Sequence, residues 1–157
     1  MLKHLSVQNY ALIDKLEVEF SEGLTIITGE TGAGKSILLG ALGLISGSRA
    51  DTQSLQDKTK KCIVEASFNI KGYALKDFFK ANELDYEITT AIRREINPEG
   101  KSRAFINDTP VTLSQLKELG EFLIDIHSQH QTLTLNGSEF QLSVVDAFAK
   151  HADLLEE

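Results

Sequence analysis

Leu24-Thr25-Ile26-Ile27-Thr28-Gly29-Glu30-Thr31-Gly32-Ala33-Gly34-Lys35-Ser36-Ile37-Leu38-Leu39 decides the reading of this chain. Its centre, residues 29–36, has the Gly-x-x-x-x-Gly-Lys-Ser spacing of a phosphate-binding loop. A triphosphate needs a backbone that comes close to several oxygens with its N–H groups turned inward. Glycine at 29, 32 and 34 removes the Cβ that would obstruct such a turn. Lys35 supplies a mobile cation for the β and γ phosphates, and the Ser36 hydroxyl suits Mg2+. A helix starting there aims its positive end at the phosphates. Glu30, Thr31, Ala33 and Ile37 belong to the same expected binding segment. The flanks agree with this. Residues 24–28 form a short, nearly continuous apolar run, expected to be a buried central strand. Residues 36–45 are apolar almost all round, expected to be an enclosed helix.

Outward from the loop, the pattern is mostly sheet. Leu5 and Val7 alternate with polar neighbours, as do Leu16, Val18 and Phe20, so two strands with one wet face each precede the loop. Downstream, Cys62, Val64, Ala66, Phe68 and Ile70 alternate as a half-exposed strand, and a helical stretch covers residues 73–81. Ile88, Thr90, Ile92, Arg94 and Ile96 share one face of a further strand. Asn97-Pro98-Glu99-Gly100 is a turn, and residues 102–107 read as the returning strand of a hairpin. Pro110 and Thr112 open a helix that Gly120 is expected to close, and residues 122–126 read as another buried strand. Ser138 with Gln141 forms a capping box for a last helix through Leu142, Val145 and Phe148.

Composition bounds the rest. The chain has 157 residues, 41% hydrophobic and 25% charged, near the size of one compact domain. It contains no apolar run long enough to span a bilayer and no signal-peptide layout, so a cytoplasmic protein without a membrane is expected. The single cysteine, Cys62, reads as a buried strand residue. A net charge of −7 and a pI near 5.1 argue against a dedicated nucleic-acid-binding domain. Two local basic clusters stand out: Lys58, Lys60 and Lys61, and Arg93, Arg94, Lys101 and Arg103. The loop alone does not choose among small-metabolite kinases, GTPases and chromosome ATPases. The guanine-specific Asn-Lys-x-Asp is absent, and antiparallel strands through residues 61–107 fit an ATPase head better than a compact kinase. An apolar strand ending in Asp-Glu, which a hydrolysing enzyme would use beside its metal, is also absent. Asp125 is expected to be structural or to act through a neighbour. A complete metabolite kinase and a nucleotide-free scaffold remain as alternatives.

Longer matches go further. Residues 9–13 (Asn-Tyr-Ala-Leu-Ile), the loop itself, Gly47-Ser48-Arg49-Ala50-Asp51, Ile92-Arg93-Arg94-Glu95-Ile96, residues 100–107 and Asp125-Ile126-His127-Ser128-Gln129-His130 together resemble the RecN family, bacterial DNA-repair ATPases related to the SMC proteins. The resemblance implies an α/β phosphate-loop fold of the ABC and SMC type, here as the amino-terminal lobe of a head. A mixed sheet with an antiparallel portion and flanking helices is expected. It implies residues 1–149 as that lobe and 150–157 as the start of a coiled-coil arm. In such a family the head is completed by the carboxy-terminal head segment, two heads enclose ATP with Mg2+, and the whole protein acts on DNA at the nucleoid. Gln129 then falls at the position of a glutamine that ligates Mg2+ or holds the attacking water. Arg49 falls at an arginine that reaches nucleotide phosphates or couples them to DNA. Ser128 departs from the family's usual glycine. His127 and His130 are not expected to hold zinc. The isolated chain is expected to bind ATP without appreciable hydrolysis. Another SMC-like head is the nearest alternative.

Overall fold

A computed structural model describes residues 1–28 and 32–126, together with 142, 145 and 148. The chain divides into two compact units, Met1–Asp125 and Ile126–Glu157. In the first, six strands form one sheet in the order β2-β1-β3-β4-β5-β6. They are β1 (Leu2–Tyr10), β2 (Ile13–Glu19), β3 (Cys62–Asn69), β4 (Thr89–Ile96), β5 (Ser102–Ile106) and β6 (Thr109–Val111). Every described pairing is antiparallel. The antiparallel portion expected from the sequence is therefore the sheet that is seen, with the parallel part unrepresented among the described strands.

Alternation decides which face is covered. Leu5 and Val7 of β1, Cys62, Val64, Ala66 and Phe68 of β3, Ile92 and Ile96 of β4, and Ala104 and Ile106 of β5 are buried on one face. Among the described residues of this unit, three α-helices accompany the sheet: α1 (Gly32–Ile45), α2 (Lys76–Ala81) and α3 (Leu113–Leu123). α1 buries Leu38, Ala41, Leu44 and Ile45, and α3 buries Leu116, Leu119 and Gly120 at the three- and four-residue spacing of one helix face. Thr112 and Gln115 close a capping box on α3, each side chain bonding the other residue's backbone N–H. Leu142, Val145 and Phe148 of the second unit are helical, as their spacing suggests, while the expected cap at Ser138 lies outside the described residues.

Three expectations are corrected. Residues 24–28 are not a buried strand: Leu24 is 89% and Ile26 74% exposed, and no described strand pairs with them. A two-faced strand needs ladder partners and cover, and the described residues supply neither. α1 is not enclosed all round, since Leu39 stays 42% exposed. Residues 122–126 are not a strand. α3 runs through Gly120 to Leu123, with Phe122 56% exposed. Gly120 was expected to end the helix and instead lets it approach its neighbour. A Cβ there would lie 2.8 Å from the Cα of Ser46, and one at Gly47 would lie 2.8 Å from the Cα of Lys117. The end of α1 and the side of α3 thus meet backbone to backbone.

Arg94 is the other departure from ordinary patterning. It is 3% exposed on the covered face, opposite Val64 and Ala104, whose small side chains leave room for it. Its Nε has no hydrogen-bond partner among the described residues, and burial lowers its pKa below the usual guanidinium value. The outward-facing Arg93 instead lies 4.5 Å over the Phe105 ring and pairs with Asp108 at 3.1 Å.

Candidate functional site

The phosphate loop runs into the first turn of α1. That turn carries no acidic residue of its own. Lys35 and Ser36 are exposed there. A Cβ on Gly34 would meet nothing within 4 Å, so packing does not demand glycine at this position. Open space beside a lysine, a hydroxyl and a helix N-terminus fits a polyphosphate. Among the described residues no group of three His, Cys, Asp or Glu could hold a metal ion. Gly29, Glu30 and Thr31 lie outside the described residues, as do His127, Ser128, Gln129 and His130 and residues 150–157.

Beside α1 lies a surface different in kind. A groove of about 270 Å3 is lined by Ile13, Leu16 and Val18 of β2, by Leu38 of α1, and by Ile27, Thr28, Gly34 and Lys35. Its walls are almost all hydrocarbon, which suits an apolar chain segment and not a phosphate.

Arg49 follows the other end of α1. Lys35 and Gly43 are separated by about 12 Å of helical rise, and the Ser48 N–H donates to the Gly43 carbonyl at 2.9 Å. The loop carrying Arg49 is thereby held at the other end of α1.

A buried residue that the chemistry-led reading passed over organises this region. Asn9, 6% exposed, has a φ of 54°. Its Nδ2 donates to the carbonyls of Asp57 at 3.0 Å and Lys60 at 2.9 Å, and its Oδ1 accepts the Asp57 N–H at 2.6 Å. The Ala11 N–H donates to the Ser54 carbonyl nearby. The turn after β1 thus clamps the loop of residues 51–60. Tyr10 lies against α1, its hydroxyl so near Gly40 that a Cβ there would come within 2.5 Å. Burial, and then the neighbouring Cys62, raise the Tyr10 pKa above its usual value. An asparagine at the mouth of a hairpin was the available signal, since Asn tolerates the left-handed region better than most residues.

Comparison with known proteins agrees with this picture. The AAA domain family matches residues 4–153. The DNA repair protein RecN of Vibrio cholerae is 47% identical over 156 residues, 99% of this chain and 28% of that protein. The chain thus spans little more than a quarter of the length of such relatives. A structure from a study of SMC ATPases superposes with a TM-score of 0.64 at 20% identity, covering 92% of this chain and 97% of that one. RecF bound to ATP superposes with a TM-score of 0.61 at 25% identity, covering 82% of this chain and 32% of that one. No helix among the described residues is long and apolar enough to cross a membrane. The chain belongs to the AAA domain family, folds as the SMC and RecF heads do, and is similar over nearly its whole length to a part of the RecN DNA repair proteins.

Proposed function

We propose that this chain is the ATP-binding part of an SMC-like head acting in DNA double-strand-break repair. The observation that carries the reading is the exposed Lys35 and Ser36 in the first turn of α1, with open space at Gly34. Residues 29–37 would hold Mg-ATP, with Ser36 and Gln129 as the protein's contributions to the metal. Residues 24–28 and the groove beside β2 would receive the carboxy-terminal head segment. Covering Leu24 and Ile26 alone would contribute about 3–5 kcal/mol, which gives their exposure a physical purpose. A second head would then close on the nucleotide, and DNA would be the partner of the whole protein. Arg49, held beyond the far end of α1, would serve a phosphate other than those at Lys35.

Calorimetry with Mg-ATP tests the central claim. The chain should bind, and Lys35→Ala should abolish binding while its circular dichroism spectrum is retained, because Lys35 is exposed and lies outside the buried core. Unchanged affinity in a folded Lys35→Ala variant would remove the proposal. Phosphate release by the chain alone should be negligible, since stabilising a phosphoryl transition state takes several charges preorganised together. Robust turnover dependent on Lys35 would instead favour a complete small-metabolite kinase.

A further inference from the structure

The turn after β1 touches α1 on one side and the loop of residues 51–60 on the other. On the helix side, Tyr10 presses on Gly40 so closely that a Cβ there would come within 2.5 Å of the phenol oxygen and 3.4 Å of the ring. Ile13, the first residue of β2, lines the same groove as Gly34, Lys35 and Leu38. Residues 10–13 thus meet α1 both at its first turn and near its middle. On the loop side, Asn9 holds Asp57 and Lys60 through three hydrogen bonds, and the Ala11 N–H donates to the Ser54 carbonyl. Asn9 and Ala11 have φ values of 54° and 52°, a region that residues with a Cβ keep only where their surroundings hold them.

The loop is the softer of the two partners. Apart from the 3-10 turn Thr52–Ser54 it has no helix or strand, and Leu55 is the one buried side chain among residues 51–60. Its shape comes from side chains bonded to nearby backbone. Asp51 accepts the Gln53 N–H at 2.8 Å, Asp57 accepts the Thr59 N–H at 2.9 Å, and Lys58 donates to the carbonyls of Thr52 and Gln53 at 2.8 Å each. Segments with so few buried apolar contacts open at low free energy. α1, by contrast, is a 14-residue rod anchored by Leu38, Ala41, Leu44 and Ile45. A close contact such as Tyr10 on Gly40 passes a displacement of that rod onward, because packed interiors do not deform continuously.

We propose that Asn9 is a positioning residue for nucleotide binding. Through residues 10–13 it fixes where the phosphate-binding end of α1 stands against the sheet, and occupancy of that end orders residues 51–60 in return. The inference rests on the ATP-binding role proposed above and adds a residue outside the phosphate loop that governs it. Such coupling is reciprocal: a ligand that orders the loop binds more tightly when the loop is already held. Releasing Asp57 and Lys60 therefore weakens nucleotide binding without removing any group that touches the nucleotide.

Hydrogen exchange read by mass spectrometry tests this on the protein encoded by the complete gene, with and without the non-hydrolysable Mg-adenylyl imidodiphosphate. In the wild type, saturating nucleotide should slow exchange in residues 51–60 by about fivefold or more, the low end of ordinary coupling between sites. N9G adopts the positive φ without cost but lacks the side chain. It should lose that slowing, and calorimetry should show its nucleotide affinity lowered by the same factor. N107G is the matched control. Asn107 also has a positive φ, 46°, and its side chain accepts the Ala91 N–H at 2.8 Å and donates to the Asp85 carbonyl at 3.0 Å, bonds that reach neither α1 nor the loop. A purely structural asparagine would lower stability in both variants and leave the affinity of the folded protein unchanged in both. Nucleotide binding that leaves residues 51–60 no better protected in the wild type, an N9G affinity equal to the wild type, or an equal loss in N107G would overturn the inference while the head reading stands. The wild-type arm stands without either variant. Absence of nucleotide binding in the wild type would remove the head reading, and this inference with it.

Discussion

Replacing Asn9 with alanine gives the sharpest test of how this fold is held together. The side chain makes three hydrogen bonds to the backbone of Asp57 and Lys60 from a nearly buried position. Each such bond is worth about 1 kcal/mol net, so their loss amounts to about 3 kcal/mol. Alanine must also hold a φ of 54°, in a region that disfavours a Cβ by about 1 kcal/mol. Against this, the released groups on an exposed loop regain some water. Asn9→Ala should therefore destabilise by about 3 kcal/mol, and Asn9→Gly by about 1 kcal/mol less, because glycine removes the backbone term and keeps the hydrogen-bond loss. Urea denaturation followed by circular dichroism reads both as lower midpoints at an unchanged slope. A loss below about 1 kcal/mol for alanine, or glycine no better than alanine, would refute the reasoning.

Two further outcomes follow from packing and burial. Gly120→Ala should destabilise by about 1–2 kcal/mol despite the roughly 1 kcal/mol gain in helix propensity, because its Cβ would stand 2.8 Å from the Ser46 backbone. Gly43→Ala, which meets only the Ser48 side chain at 3.3 Å, should be near neutral in the same urea denaturation. Burial pushes the Cys62 thiol up to about 11, so it should resist an aromatic disulfide reagent at pH 8 in the native protein and react on unfolding. Because its folded pKa lies above the ordinary 9.0, the stability from keeping it neutral is fully present below pH 9 and lost as the pH rises toward 11. Rapid labelling without denaturant, or a midpoint flat across that window, would contradict the burial argument.

What could be read from the chain alone was what local chemistry dictates. The glycine spacing and Lys35-Ser36 specify a phosphate loop because few other uses need that backbone and those side chains together. The alternation of Leu5 and Val7, of residues 62–70 and of residues 88–96 specifies strands because a pleat puts successive side chains on opposite faces. Even the inward direction of Arg94 was legible in that period, although its burial was not. Gly120 was misread because a glycine late in a helix pattern signals a stop equally well as a close crossing, and only the position of Ser46 distinguishes them. Residues 24–28 were misread for a similar reason. An apolar run records that a segment should be covered, but covering is done by other segments, and none among the described residues does it. The clamp of Asn9 on the backbone of Asp57 and Lys60 and the pairing of Lys61 with Glu95 were likewise settled in three dimensions. Each depends on which distant residues meet, and hydrogen-bond register and helix length fix that where sequence spacing does not.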